Sequence, residues 1–171
     1  MIASGYRPGA IGRVAEMHAS YYSRDWDFGL YFEAKVATEL AEFLLRFQEG
    51  RDGLWLAIEA ERIMGSLALD GSGANREGVQ LRWFILDGAA RGAGLGNRLM
   101  EAAMGFCRAR GYDRVYLKTF RGLEAARHLY EKNGFRLVHE APGKFWGNDV
   151  MEQRFECNMT GFEANVIPLR A

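Results

Sequence analysis

The chain is short of the side chains that hold metals and disulfides. Two cysteines and three histidines are scattered through 171 residues. Cys107 and Cys157 stand far apart in different kinds of predicted element, with no C-x-x-C pair, and read as buried free thiols. His18, His128 and His139 form no H-x-x-x-H arrangement, so the ligand spacing of a zinc site is missing and no metal is expected. An excess of either charge is missing too, since Lys and Arg number 22 and so do Asp and Glu. A balanced chain has no global field to draw in nucleic acid, an acidic membrane or an acidic substrate, so any charge selectivity must be local. No apolar run approaches the roughly eighteen residues of a membrane span, and the amino terminus lacks the basic-then-apolar order of a secretory signal. A soluble cytoplasmic protein, with no nucleic-acid or membrane partner, is the default expectation.

What the chain does have is apolar residues, 49% of the total, enough for one core in a single domain over residues 1–171. Tyr6-Arg7-Pro8-Gly9 suggests a short first strand ending in a turn. Ile11, Val14, Ala15, His18, Ala19 and Tyr22 repeat at helical spacing, and Glu33 to Gln48 does the same through Val36, Leu40, Phe43, Leu44 and Phe47. Between them Tyr21 to Phe32 is dense in aromatics and poor in periodicity, which reads as an irregular loop. Leu54 to Glu59 and Ile63 to Leu69 read as a hairpin, and Val79 to Leu86 is a further strand. Helix Leu95 to Arg110, strand Val115 to Thr119, helix Leu123 to Lys132 and strands Phe135 to Glu140 and Val150 to Cys157 complete the order βααβββαβαββ. Thr160 to Ala171 loses the strand pattern and reads as a tail or an exchange arm. The strands Val79–Leu86 and Val115–Thr119, joined through a helix, make a parallel βαβ unit in an otherwise antiparallel sheet.

Arg91-Gly92-Ala93-Gly94-Leu95-Gly96-Asn97 lies between that strand and that helix. The turn leaves backbone N–H groups unpaired at the positive end of a helix dipole, and its glycines remove side chains that would keep an anion away. A P-loop is excluded because no Gly-Lys-Ser/Thr follows. A dinucleotide fingerprint is disfavoured by the G-x-G-x-G spacing, the mid-chain position and the want of an acid about twenty residues on. The run resembles instead the R/Q-x-x-G-x-G/A signature of the GNAT family of N-acetyltransferases. Downstream, Ala125-Ala126-Arg127-His128-Leu129-Tyr130-Glu131-Lys132-Asn133-Gly134-Phe135 resembles the family's second motif, A-x-x-L-Y-x-x-x-G-F. The two motifs stand in the family's order. The segments Glu16 to Phe47 and Phe145 to Cys157 further resemble the acetyltransferase half of bacterial proteins in which a MarR-type winged-helix regulator precedes a GNAT domain. No winged-helix region is present here, and DNA binding is not carried over.

The resemblance implies a mixed α/β sheet with a splayed pair of parallel strands, acetyl-coenzyme A as donor, and direct transfer of acetyl to a primary amine of a small molecule. It assigns the donor to the backbone of Phe84, Ile85 and Leu86 and of Gly92, Ala93, Gly94, Leu95, Gly96 and Asn97, with Arg91 beside the pyrophosphate and Ala126 on the following helix. Thr119 stands where many relatives place an asparagine. Tyr130 matches the general acid, its phenol being protonated at neutral pH and able to protonate a departing thiolate. The base is assigned to Glu33, with Asp87 as its rival. The acceptor pocket is expected from Tyr22, Trp26, Tyr31, Phe32 and Arg82, with Trp146 beside them, and Arg82 needs an anionic partner such as a substrate carboxylate or Glu77. Acetylation of a protein or peptide amine, and a catalytically silent acyl-coenzyme A binding module, stay open as alternatives. Family habit points to a homodimer.

Overall fold

The computed structural model describes residues 1–160; most of the expected tail lies outside the described residues. Seven strands, β1 (Ile2–Ser4), β2 (Gly53–Glu59), β3 (Arg62–Asp70), β4 (Val79–Leu86), β5 (Arg114–Phe120), β6 (Arg136–Gly143) and β7 (Val150–Asn158), form one sheet in the order β1-β2-β3-β4-β5-β7-β6. Four helices accompany it: α1 (Ala10–Trp26), α2 (Leu30–Leu45), α3 (Leu95–Arg110) and α4 (Glu124–Lys132). The element order matches the one read from the sequence. Every strand pair is antiparallel except β4 with β5.

The sheet separates two apolar clusters. Leu99, Met100, Ala103 and Cys107 recur at helical spacing on α3 and meet Leu67, Leu69, Val79 and Val115. Val14, Phe32, Val36, Leu40 and Phe43 of α1 and α2 cover Leu56, Ala68 and Ile85 on the opposite side. Each large side chain among these removes about 1.5–3 kcal/mol of apolar surface from water.

The seam between β4 and β5 is the feature that makes a site. Their ladder runs only from Val79↔Val115 through Gln80↔Tyr116 to Leu81↔Leu117. Beyond it β4 carries an extra residue relative to β3, because Ser66 pairs with Ile85 while Ala68 pairs with Arg82. Trp83 at this bulge has φ 47°, and the Ser66 hydroxyl donates to its carbonyl at 2.6 Å, which holds the strained turn in place. The kink carries Phe84 to Leu86 away from β5 and leaves a gap inside the sheet.

Two local expectations are corrected. The first strand is Ile2–Ser4, paired with Trp55–Ala57, while Tyr6 lies beyond it and is exposed; three residues are too few to set an alternation legible in sequence. The aromatic segment is not a loop, since only Asp27, Phe28 and Gly29 interrupt α1 and α2. Tyr22 stacks on Phe28 and meets Phe32 and Phe120 edge-on, with ring centroids 5.0 to 5.8 Å apart. Packing of these rings stabilises the helical turns on either side of the break.

Candidate active site

Where β4 and β5 part, a cleft of about 450 Å³ opens between Phe84–Leu86, the Arg91–Gly92 turn and the start of α4 at Leu123–Ala126. Six of the expected donor residues, Phe84, Ile85, Leu86, Arg91, Gly92 and Ala126, line this one space. Gly92 and Gly94 have φ 82° and 74°, and a Cβ on either would meet nothing within 4 Å. Gly94 caps α3 with no side-chain hydrogen bond. The first bonded amide there is that of Arg98, which donates to the Gly94 carbonyl at 3.2 Å. Among the described residues no carbonyl accepts from the N–H of Gly92, Gly94, Leu95, Gly96 or Asn97. The turn is therefore a row of free donors with open space in front of it, which suits the phosphates of an acyl-coenzyme A.

Arg91 lies over the Tyr21 ring at 4.3 Å and has no carboxylate partner among the described residues, so its charge is free for an anion. Leu95 is buried in the core, and Gly96 is a packing position. A Cβ on Gly96 would stand 3.3 Å from Leu86 Cδ1 and 3.4 Å from Leu129 Cδ2, at the close approach of α3 to the strand. Ala93 completes the turn, and the Asn97 side chain accepts from Lys132 Nζ at 3.3 Å.

A second cavity, about 110 Å³, lies under α1 and α2 and shares Tyr22 and Phe84 with the cleft. Tyr130 belongs to the α3-side cluster, yet it also lines this cavity, so it spans the gap in the sheet. Its ring packs against Phe84, Phe135 and Phe155 at 6.0 to 6.2 Å, and among the described residues its hydroxyl makes no hydrogen bond. Burial raises its pKa, as burial and the neighbouring Tyr130 and Tyr21 raise that of Tyr22, so both phenols stay protonated. Thr119 is buried and lines this second cavity, not the donor cleft, because β5 has already diverged from β4 at its position.

Several site assignments need correction. Glu33 is exposed and borders a shallow depression with Glu16 and Ser20 on the outer side of the helices. It lies about 200° around α2 from Lys35, which does line the inner cavity. Asp87 caps the short 3-10 turn at Gly88–Ala90 by accepting from the Ala89 N–H at 2.9 Å, and it also pairs with Arg13. Trp26 does not line the cavity. It packs edge-on against Phe120 at 4.8 Å and fills the space left by Gly122, where a Cβ would stand 2.3 Å from the indole. Tyr31 is exposed and leans on Gly147. Arg82 pairs with Glu39, whereas Glu77 is 3.3 Å from Arg154.

Tyr22, Phe32, Arg82 and Trp146 do line the cavity, together with His18, Lys35, Glu39, Lys118 and Phe145, which the sequence did not single out. A faint signal existed, since Phe32, Lys35, Val36 and Glu39 follow one another at i, i+3, i+4 and i+7 on one helix face. His18 Nδ1 donates to the Val14 carbonyl at 2.8 Å, which leaves Nε2 as an acceptor. Burial lowers its pKa to about 4, so the ring is neutral at physiological pH.

Among the described residues no cluster of potential metal ligands is found, and no helix is long and apolar enough to cross a membrane. The model of the Acetyltransferase (GNAT) family matches residues 13–135. The chain is 29% identical over 121 residues, 70% of its length, to N-acetylaspartate synthetase of Danio rerio, and it spans 42% of that protein. Among solved structures, a GNAT family acetyltransferase from Staphylococcus aureus Mu50 superposes with TM-score 0.71 at 20% identity, covering 92% of this chain and 99% of that one. A GNAT family acetyltransferase from Elizabethkingia anophelis with acetyl-CoA bound gives TM-score 0.63 at 13% identity, covering 93% and 97%. With a family model spanning most of the fold, including the glycine turn and Tyr130, this chain belongs to the GNAT family of acetyltransferases.

Proposed function

We propose that the protein is an N-acetyltransferase that passes an acetyl group from acetyl-coenzyme A directly to the primary amine of a small molecule. The observation that carries this reading is the meeting of two cavities at Tyr22 and Phe84, the inner one lined by Tyr130, whose hydroxyl has no partner among the described residues. Acetyl-coenzyme A supplies the activated acyl carbon. The free N–H groups of the glycine turn and Arg91 would anchor its pyrophosphate, and the edge of Phe84 to Leu86 that faces β5, left without a ladder there, would receive its amide-bearing arm as a strand would be received. The acceptor nitrogen bonds to the acetyl carbon as the C–S bond breaks. Proximity and a fixed set of donors account for most of the rate. The amine surrenders one proton to water, and Tyr130 gives one to the thiolate sulfur and takes one back from water.

The inner cavity is roofed by Phe145 and Trp146, which favours a small acceptor over a protein segment. The Danio rerio relative is named for making an N-acetylated small molecule. Tyr130→Phe tests the reading. Acetyl-coenzyme A affinity is expected to hold while turnover with a competent amine falls on the order of a hundredfold; unchanged turnover would remove Tyr130 from the mechanism. A silent acyl-coenzyme A binding module would bind the donor and acetylate no amine in either form.

A further inference from the structure

The acceptor cavity holds more positive charge than the chain around it neutralises. Lys35, Arg82 and Lys118 line it, and Glu39 is the one carboxylate among its lining residues. Both Glu39 oxygens are taken, one by Lys35 Nζ and the other by Arg82. Lys118 has no carboxylate partner among the described residues. Its ammonium instead lies 5.6 Å from the centre of the Phe145 ring, and the Lys35 ammonium stands 4.1 Å from the centre of the same ring. The cavity therefore carries two net positive charges in a chain whose total is zero. Lys35 and Arg82 are mostly shielded, with side chains 17% and 20% exposed, and excess charge at such a place is costly without an anion.

On the reading above, which this inference deepens, we propose that the acceptor is an amino-acid-like molecule. It presents a primary amine to Tyr130 and seats a carboxylate between Lys118, Lys35 and Arg82. Tyr22 and Phe84 mark the donor side of the cavity and Phe145 the far side, so the amine and the anion are recognised at opposite ends. The space admits roughly ten heavy atoms, the size of a small amino acid.

The test pairs acids with their amides: glycine, β-alanine, L-aspartate and L-methionine against the corresponding carboxamides, with coenzyme A release as the signal. An amide's amine is less basic and more often neutral, so intrinsic reactivity favours the amide. The site reverses that order, and acids are expected to lead by about tenfold or more in kcat/KM. Lys118→Gln, on an exposed side chain, raises KM for acids several-fold and shrinks the acid-to-amide ratio in kcat/KM. Amides used as well as acids, or an acid-to-amide ratio untouched by Lys118→Gln, overturn the inference. Titration of the fluorescence of Trp83 and Trp146 with N-acetyl amino acids and their amides reads the anion site without turnover. It decides the inference even where calorimetry shows no acetyl-coenzyme A binding, an outcome that sinks the transferase reading alone.

Discussion

Gly92→Ala distinguishes a phosphate cradle from a merely tight turn. Gly92 sits at φ 82°, and a Cβ there would meet nothing within 4 Å, so the substitution creates no clash. The left-handed backbone costs an alanine about 1–2 kcal/mol. Loss of glycine's freedom in the unfolded chain returns about 0.4–1 kcal/mol. The net loss is on the order of 1 kcal/mol, or about 2–4 °C in Tm for a chain of this size. Binding responds differently, because the new methyl projects into the space where a phosphate must approach the N–H groups. Losing one charge-assisted hydrogen bond weakens Kd by about ten- to a hundredfold. Gly111→Ala supplies the control. Gly111 lies past the other end of α3 at φ 67°, equally open, and shares the backbone strain without the cradle. Calorimetry with acetyl-coenzyme A and scanning fluorimetry on both variants should show matched losses of Tm and a loss of affinity in Gly92→Ala alone. An unchanged Kd in Gly92→Ala refutes the cradle.

Two further outcomes follow from buried groups. His18 has a folded pKa of about 4 against an unfolded value near 6.5, so the unfolded chain binds the extra proton between those values. Stability should fall as pH drops from about 6.5 to 4, and His18→Gln should flatten that limb of an acid unfolding series; an identical limb would remove His18 as its cause. Cys107 and Cys157 are both buried, and burial pushes the Cys107 thiol up to about 12. Neither should react with a thiol reagent in the native state, while both should titrate in denaturant. Rapid native labelling would contradict their placement.

The order of elements was legible because most strands are short apolar runs bounded by turn residues, with β4 and β7 alternating, and the helices end at glycine or at a change of period. The bounds of β4 and α3 coincide with the sequence reading, with Asp87 and the 3-10 turn at Gly88–Ala90 lying between β4 and the glycine turn. The donor half of the site was legible for a related reason: it is built mostly from backbone, and glycine spacing is a direct record of backbone shape. The acceptor half depends on which side of each helix faces inward. Glu33 and Glu39 are the same residue type on the same helix, each three residues from Val36, yet only Glu39 lines the inner cavity and meets Arg82 of β4. That pairing spans 43 positions in sequence, beyond the reach of local periodicity. Trp26 was misplaced because its fit depends on the bare backbone of Gly122, nearly a hundred residues later.

The three-pair seam between β4 and β5 also bears on how the chain avoids itself. An unpaired strand edge is usually a template for aggregation, and most proteins guard it with charge, proline or an early end. Here the unsatisfied edge lies in the middle of the sheet, flanked by α4 and walled by Tyr22, Phe84 and Tyr130. Concealment thus does, in the middle of the sheet, the work that charge, proline or an early end does at an outer edge.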